Sequence, residues 1–217
     1  MKDKRLLVSF ILNLVIFSFV LTGTIIAFTI GDGVLMATFP EIFKYFTFQS
    51  NLYMGIVAFI YAYYQLQMMR GKKDKIPHVL NVFYHVGVTA VSLTFMIVVL
   101  FLAPGYGFDK MYRYANLFFH ALAPVAAMAN YMFFNKECHI RFTDTPFAIA
   151  PSLLYGIVYF IIVVSNNAYG DIKYDFYMFG KDGPWIGALN FLAVMAIAYA
   201  MGVLVYFVNR LVFKKAR

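Results

Sequence analysis

The chain has 217 residues, of which 63% are hydrophobic and only 13% charged, with a mean hydropathy of +0.74. Soluble domains carry about 25% charge, so this composition excludes a water-soluble protein and points to an integral membrane one. The net charge of +8 is spread over short loops rather than gathered in a patch, which excludes nucleic acid as a partner.

Spanning helices need about 20 mostly apolar residues, and six segments qualify in chain order. The first, residues 6–30, follows "MKDKRLL" and imitates a secretory signal, but it far exceeds the 7–15-residue apolar core of a signal peptide. It reads as a retained helix. The second, 44–69, opens on "KYFTFQSNLYMG", where Thr47, Gln49, Ser50 and Asn51 stand at the mouth of an otherwise apolar run. The third covers 79–103 and the fourth 114–134, the latter interrupted by Pro124. The fifth, 145–168, ends on Ser165, Asn166 and Asn167, and the sixth covers 185–210. The expected fold is therefore all-α: one six-transmembrane-helix bundle over residues 1–217.

Loop charges give the orientation. Lys2, Lys4, Arg5, Arg70, Lys72, Lys73, Lys75, Lys136, Arg141, Arg210, Lys214, Lys215 and Arg217 fall on one side. Only Lys44, Lys110, Arg113, Lys173 and Lys181 fall on the other, where Asp32, Glu41, Asp109, Asp171, Asp175 and Asp182 also lie. The positive-inside rule then predicts cytoplasmic N- and C-termini, with membrane lipids as the surrounding partners. The loop "NNAYGDIKYDFYMFGKDGP" mixes tyrosines and charges, as an interfacial cap does. Cys138, the single cysteine, has no partner for an intrachain disulfide.

No Asp or Glu lies within the six segments. Proton pathways and hard-cation sites usually depend on carboxylates, so no metal and no cofactor is expected. What remains is His85 and His120, in opposite halves of the bilayer, and a set of hydroxyls and amides. His120 shares a helix face with Asn116 and with Pro124, whose missing N–H frees the His120 carbonyl and kinks the helix. A histidine so placed is a candidate general base or an interhelical hydrogen-bond partner. Thr47, Ser50, Asn51 and Met54 follow the i, i+3, i+4, i+7 pattern of one helix face. Thr47 also lies in the same leaflet as His120. A hydroxyl beside a histidine, with amide donors from Gln49, Ser50, Asn51 or Asn116, is the minimum for acyl transfer. The bland alternative is backbone bonding by Thr47 and helix packing by the amides. Asn51, Asn116 and Asn190 each stand near the outer end of an inward-running helix, and Asn190 is within reach of the same pocket.

The stretches "KYFTFQSNL" and "NLFFHALAP" together resemble the androgen-induced and androgen-dependent TFPI-regulating protein family. Its members are multi-pass threonine hydrolases of fatty acid esters of hydroxy fatty acids. In length and in the "FTFQSN" wording the chain is most similar to uncharacterised bacterial six-helix relatives of that family. The resemblance implies Thr47 as nucleophile, His120 as catalytic base, Asn116 as its neighbour one turn earlier, and a bacterial cytoplasmic membrane as location. Leu117 and Ala121 stand where the family usually has a second His and a Thr. The expected function is hydrolysis of a lipid or fatty-acyl ester; the rival is a lipid- or small-molecule-binding membrane protein without chemistry, such as a sensor or transporter component.

Overall fold

The computed structural model describes residues 4–31, 37–171 and 173–214; Lys2, Asp32, Lys215 and Arg217 lie outside the described residues. Six long helices follow one another: α1 (Lys4–Thr29), α2 (Phe46–Met69), α3 (His78–Tyr106), α4 (Ala115–Phe134), α5 (Phe142–Ser165) and α6 (Pro184–Val212). Among the described residues there is no strand. All six coincide with the predicted segments, their ends shifted by a few residues.

Five of them are long and apolar enough to cross a membrane. The exception is α2, 24 residues long, whose Gln49, Asn51, Gln65, Gln67 and Tyr53, Tyr61, Tyr63, Tyr64 dilute its apolar run. Three of these eight, Asn51, Tyr61 and Gln65, are fully buried against neighbours, while Gln49 and Tyr63 are exposed. Part of the polarity of α2 is thus spent inside the bundle. Large apolar side chains instead cover the outside, among them Leu154 at 66%, Leu192 at 61% and Leu211 at 70% exposure. An exposed apolar belt of this extent is the surface that a lipid bilayer covers.

At the centre stands α3, buried without interruption from Tyr84 to Thr94. A helix apolar or small all round belongs in the middle of a bundle, and α3 contacts α2, α4, α5 and α6. Close approach depends on small residues, as is usual between membrane helices. A Cβ on Gly55 of α2 would lie 2.8 Å from Val20 of α1, and one on Gly202 of α6 would lie 2.9 Å from Ala148 of α5.

The first and last helices end together, with the Arg5 guanidinium 5.3 Å over the Phe213 ring. At the opposite end, a one-turn helix (Glu41–Lys44) and a one-turn helix (Phe108–Met111) approach the loop between α5 and α6 and the start of α4 respectively. Two helices widen at proline. In α3 the N–H of Ala103 reaches back to the Val98 carbonyl, just before Pro104; in α4 that of Ala123 reaches Phe118, just before Pro124. These five-residue spacings are π turns, which absorb the donor that proline lacks. His120 therefore sits inside a widened turn, the local form that the expected kink takes.

Candidate functional site

Thr47 lies in the first turn of α2. Its carbonyl accepts hydrogen bonds from Ser50 Oγ at 3.1 Å and Asn51 Nδ2 at 2.8 Å, while its hydroxyl makes none to any described residue. Thr47 borders a cavity of about 390 Å³ lined by α2, α3, α5, α6 and the loop after α5. Leu93, Ile97, Phe101 and Phe191 supply its apolar walls; Thr47, Thr94, Tyr155, Tyr159 and Asn190 supply its polar groups. Asn190 Nδ2 is spent on the Phe179 carbonyl at 3.2 Å.

The other expected site residues divide between two flanks. Gln49 and Ser50 line a groove on the outer side of α2 and α5, separated from the cavity by Phe46, Tyr155 and Tyr159, which border both. Gln49 Nε2 donates to Phe43 O at 2.7 Å, and Ser50 Oγ lies 3.2 Å from Thr94 Oγ1, joining α2 to α3. Asn51, Asn116 and His120 are buried toward α4 and are not among the residues lining the cavity. Asn51 Nδ2 also donates to the Phe119 carbonyl at 3.0 Å, so one amide fastens the turn of Thr47 to the turn of His120. Its Oδ1 is buried without a partner among the described residues. His120 Nδ1 lies 2.8 Å from the Met111 carbonyl. A carbonyl can only accept, so Nδ1 carries a proton. Thr47 and Asn190 thus share a cavity, and His120 stands on the adjoining turn behind Asn51.

The polar rim of the cavity was not foreseen. Asp175, completely buried, accepts from the N–H groups of Gly170 (2.8 Å), Phe179 (3.0 Å) and Gly180 (2.8 Å) and from the Tyr159 hydroxyl. The Tyr159 oxygen in turn accepts from Tyr177 N at 3.1 Å, and the Tyr177 hydroxyl accepts from Phe46 N at 3.0 Å. That last bond satisfies one of the free donors at the start of α2. A relay from Asp175 through two tyrosines therefore seats the loop on the helix turn that carries Thr47. Burial pushes the Tyr177 phenol above its ordinary range, so it remains a neutral hydrogen-bonding group at any ordinary pH. Its sequence signal was the "YDFYMF" segment, legible only as an interfacial cap.

A second polar centre occupies the half of the bundle nearer the termini. Asn13 joins Gln65 (2.8 Å), Tyr84 (2.6 Å) and Asn130 (3.0 Å), and Gln65 reaches Ser9 at 2.9 Å. Tyr61 donates to Asn81 at 2.8 Å, and His85 Nδ1 lies 3.0 Å from the Tyr131 hydroxyl. His85 Nε2 has no hydrogen-bond partner among the described residues. These groups come from α1, α2, α3 and α4 and pair with one another, which makes the centre a structural clamp between helices. Among the described residues no group of three His, Cys, Asp or Glu side chains is placed to hold a metal ion. Comparison with family models, curated proteins and solved structures gives no match.

Proposed function

We propose that the protein is a six-span membrane protein with cytoplasmic termini, and that its outer cavity receives the acyl chain of a lipid ester that Thr47 cleaves. The observation that carries this reading is Thr47, its hydroxyl free of hydrogen bonds to the described residues, on the wall of a largely apolar cavity of about 390 Å³. Small-molecule sites are of this kind: some 300–1,000 Å³, apolar walls, a few placed polar groups. In the reaction, Thr47 Oγ adds to the ester carbonyl carbon as His120 Nε2 takes its proton. The alcohol leaves with that proton. A water molecule, deprotonated by His120, then adds to the acyl-threonine, and the fatty acid departs as His120 returns that proton to Thr47. The Met111 carbonyl keeps His120 in the tautomer this requires, and Asn51 keeps its turn against that of Thr47.

A second reading, a lipid-binding protein without turnover, is favoured by one specific observation: His120 does not line the cavity. One experiment separates the two. Purified protein in nanodiscs is offered a panel of fatty-acyl esters, and released fatty acid is measured for wild type, Thr47→Ala and His120→Ala. The hydrolase reading expects turnover in wild type and a loss of at least about a hundredfold in both variants, the scale of a missing nucleophile or base. Saturable binding of a fluorescent acyl ligand with no turnover in any of the three supports the second reading.

A further inference from the structure

We propose that the groove on the outer flank of α2 and α5 is a specific site for one anionic phospholipid. Its phosphate would sit at Lys44 and one acyl chain would run between the two helices. The groove, of about 450 Å³, is bordered by Lys44 and Gln49 at its polar end and by Tyr53, Leu154, Val158 and Ile162 along its length. The inference is independent of any chemistry at Thr47.

Two separate observations fix the occupant. The first is length. On α5 the lining runs from Pro151 to Ile162, which at about 1.5 Å per residue is roughly 16 Å. One leaflet contributes about half of a 30 Å hydrocarbon core, so a single acyl chain fills the groove from headgroup level to the bilayer midplane. Its walls are already lipid-facing: Leu154 is 66% and Val158 57% exposed.

The second is charge. No carboxylate among the described residues pairs with Lys44; its ammonium lies 5.2 Å over the Tyr45 ring and 5.3 Å over the Phe176 ring. The backbone beneath is held still, because the Tyr155 hydroxyl donates to the Lys44 carbonyl at 2.6 Å. A cation fixed between two aromatic rings at headgroup depth, above an apolar channel of one-leaflet length, complements a negatively charged phosphate joined to an acyl chain. A lipid with no net charge gains the channel but not the ion pair.

The test is native mass spectrometry of the full-length protein, with phosphatidylglycerol and phosphatidylcholine of equal chain length supplied in equal amounts. Wild type is expected to retain one phosphatidylglycerol in preference to phosphatidylcholine. Lys44→Gln should lower phosphatidylglycerol retention roughly five- to tenfold, the scale of one lysine at a charged headgroup, and leave phosphatidylcholine unchanged. Val158→Trp, a change at a side chain that is 57% exposed, should lower retention of both by blocking the channel. Equal retention of the two lipids by wild type overturns the proposal. So does an equal loss in Lys110→Gln, which would mark a general surface-charge effect, or displacement by millimolar inorganic phosphate, which would mark a headgroup-only site.

Discussion

Asn51 donates its side-chain amide to the Phe119 carbonyl at 3.0 Å, across the contact between α2 and α4. The same nitrogen also bonds the Thr47 carbonyl at 2.8 Å, so the backbone turns of the proposed nucleophile and the proposed base are two hydrogen bonds apart. Phe48 and Phe119 pack edge to face beside this link, with ring centroids 5.7 Å apart. The apolar contact brings the helices together and the amide sets their register.

Asn51→Leu keeps the size of the side chain and removes both bonds. Interhelical hydrogen bonds in membrane proteins are worth about 0.6 kcal/mol on average and about 1.7 at most, so the fold should survive with a thermal midpoint lowered by a few degrees. Because the Phe119 carbonyl loses its clamp, turnover of any ester cleaved by wild type should fall much further than stability does. A thermal-shift assay run beside the esterase assay checks this. A proportionate fall in both quantities would assign Asn51 a purely structural role.

Asp175→Asn tests the seat of the loop. The carboxylate accepts four hydrogen bonds through two oxygens, and an amide retains only one of those oxygens as an acceptor. Hydrogen bonds to charged groups contribute about 1.5–3 kcal/mol each, so the loop should detach from the Tyr159–Tyr177 relay while the six helices remain folded. Limited proteolysis should then cut between residues 169 and 183 at protease levels that spare wild type. Tyr159→Phe, which loses two of the relay's bonds but leaves the three backbone donors to Asp175, should give an intermediate rate. A variant as resistant as wild type would show that the loop is held by its aromatic packing instead.

The long helices were legible because a bilayer imposes a length and an apolarity that few sequences meet by chance. The face Thr47, Ser50, Asn51 and Met54 was legible from its spacing, yet its members meet different neighbours. Thr47 borders the cavity, Ser50 meets Thr94 of α3, and Asn51 meets Phe119 of α4. Helical periodicity states which residues share a face, but not which helices stand opposite it. Asp175 was legible only as an exterior loop acid, because its burial depends on three backbone N–H groups that converge through turn geometry. The Asn13–Gln65–Tyr84–Asn130 cluster was illegible for a similar reason. Each residue taken alone is an ordinary packing amide or phenol, and only the bundle brings the four helices' polar groups together.

That cluster continues to the pair of His85 and Tyr131, where a contrast in stability is expected. Tyr131→Phe deprives His85 Nδ1 of its hydroxyl partner and leaves both ring nitrogens of a fully buried histidine without protein hydrogen bonds. An unsatisfied buried group costs about 1–3 kcal/mol. His85→Leu takes the imidazole away from the Tyr131 hydroxyl but also removes the already unpartnered Nε2, so it should lower the thermal midpoint less than Tyr131→Phe does. The double variant should be no worse than Tyr131→Phe alone. A larger loss for His85→Leu would mean that the imidazole has a further partner, such as a bound water, and would be seen in the same melting series.

Pro124 sets the widened turn that holds His120, and removing it should separate stability from function. Proline cannot donate to the carbonyl four residues earlier, that of His120, and the ladder instead widens so that Ala123 N–H bonds Phe118 O. Pro124→Ala supplies the missing N–H and a residue of higher helix propensity. The turn can then close to ordinary helical spacing, which rotates the preceding residues by about 100° relative to those that follow. Such a rotation would carry Phe119 O away from Asn51 and His120 away from Met111, contacts that hold this turn in place. The expected variant melts at or above the wild-type temperature, exchanges its amide hydrogens more slowly across residues 118–122, and loses ester turnover. Unchanged exchange in that stretch would show that the wide turn is held by packing on α1 and α3 rather than by the proline.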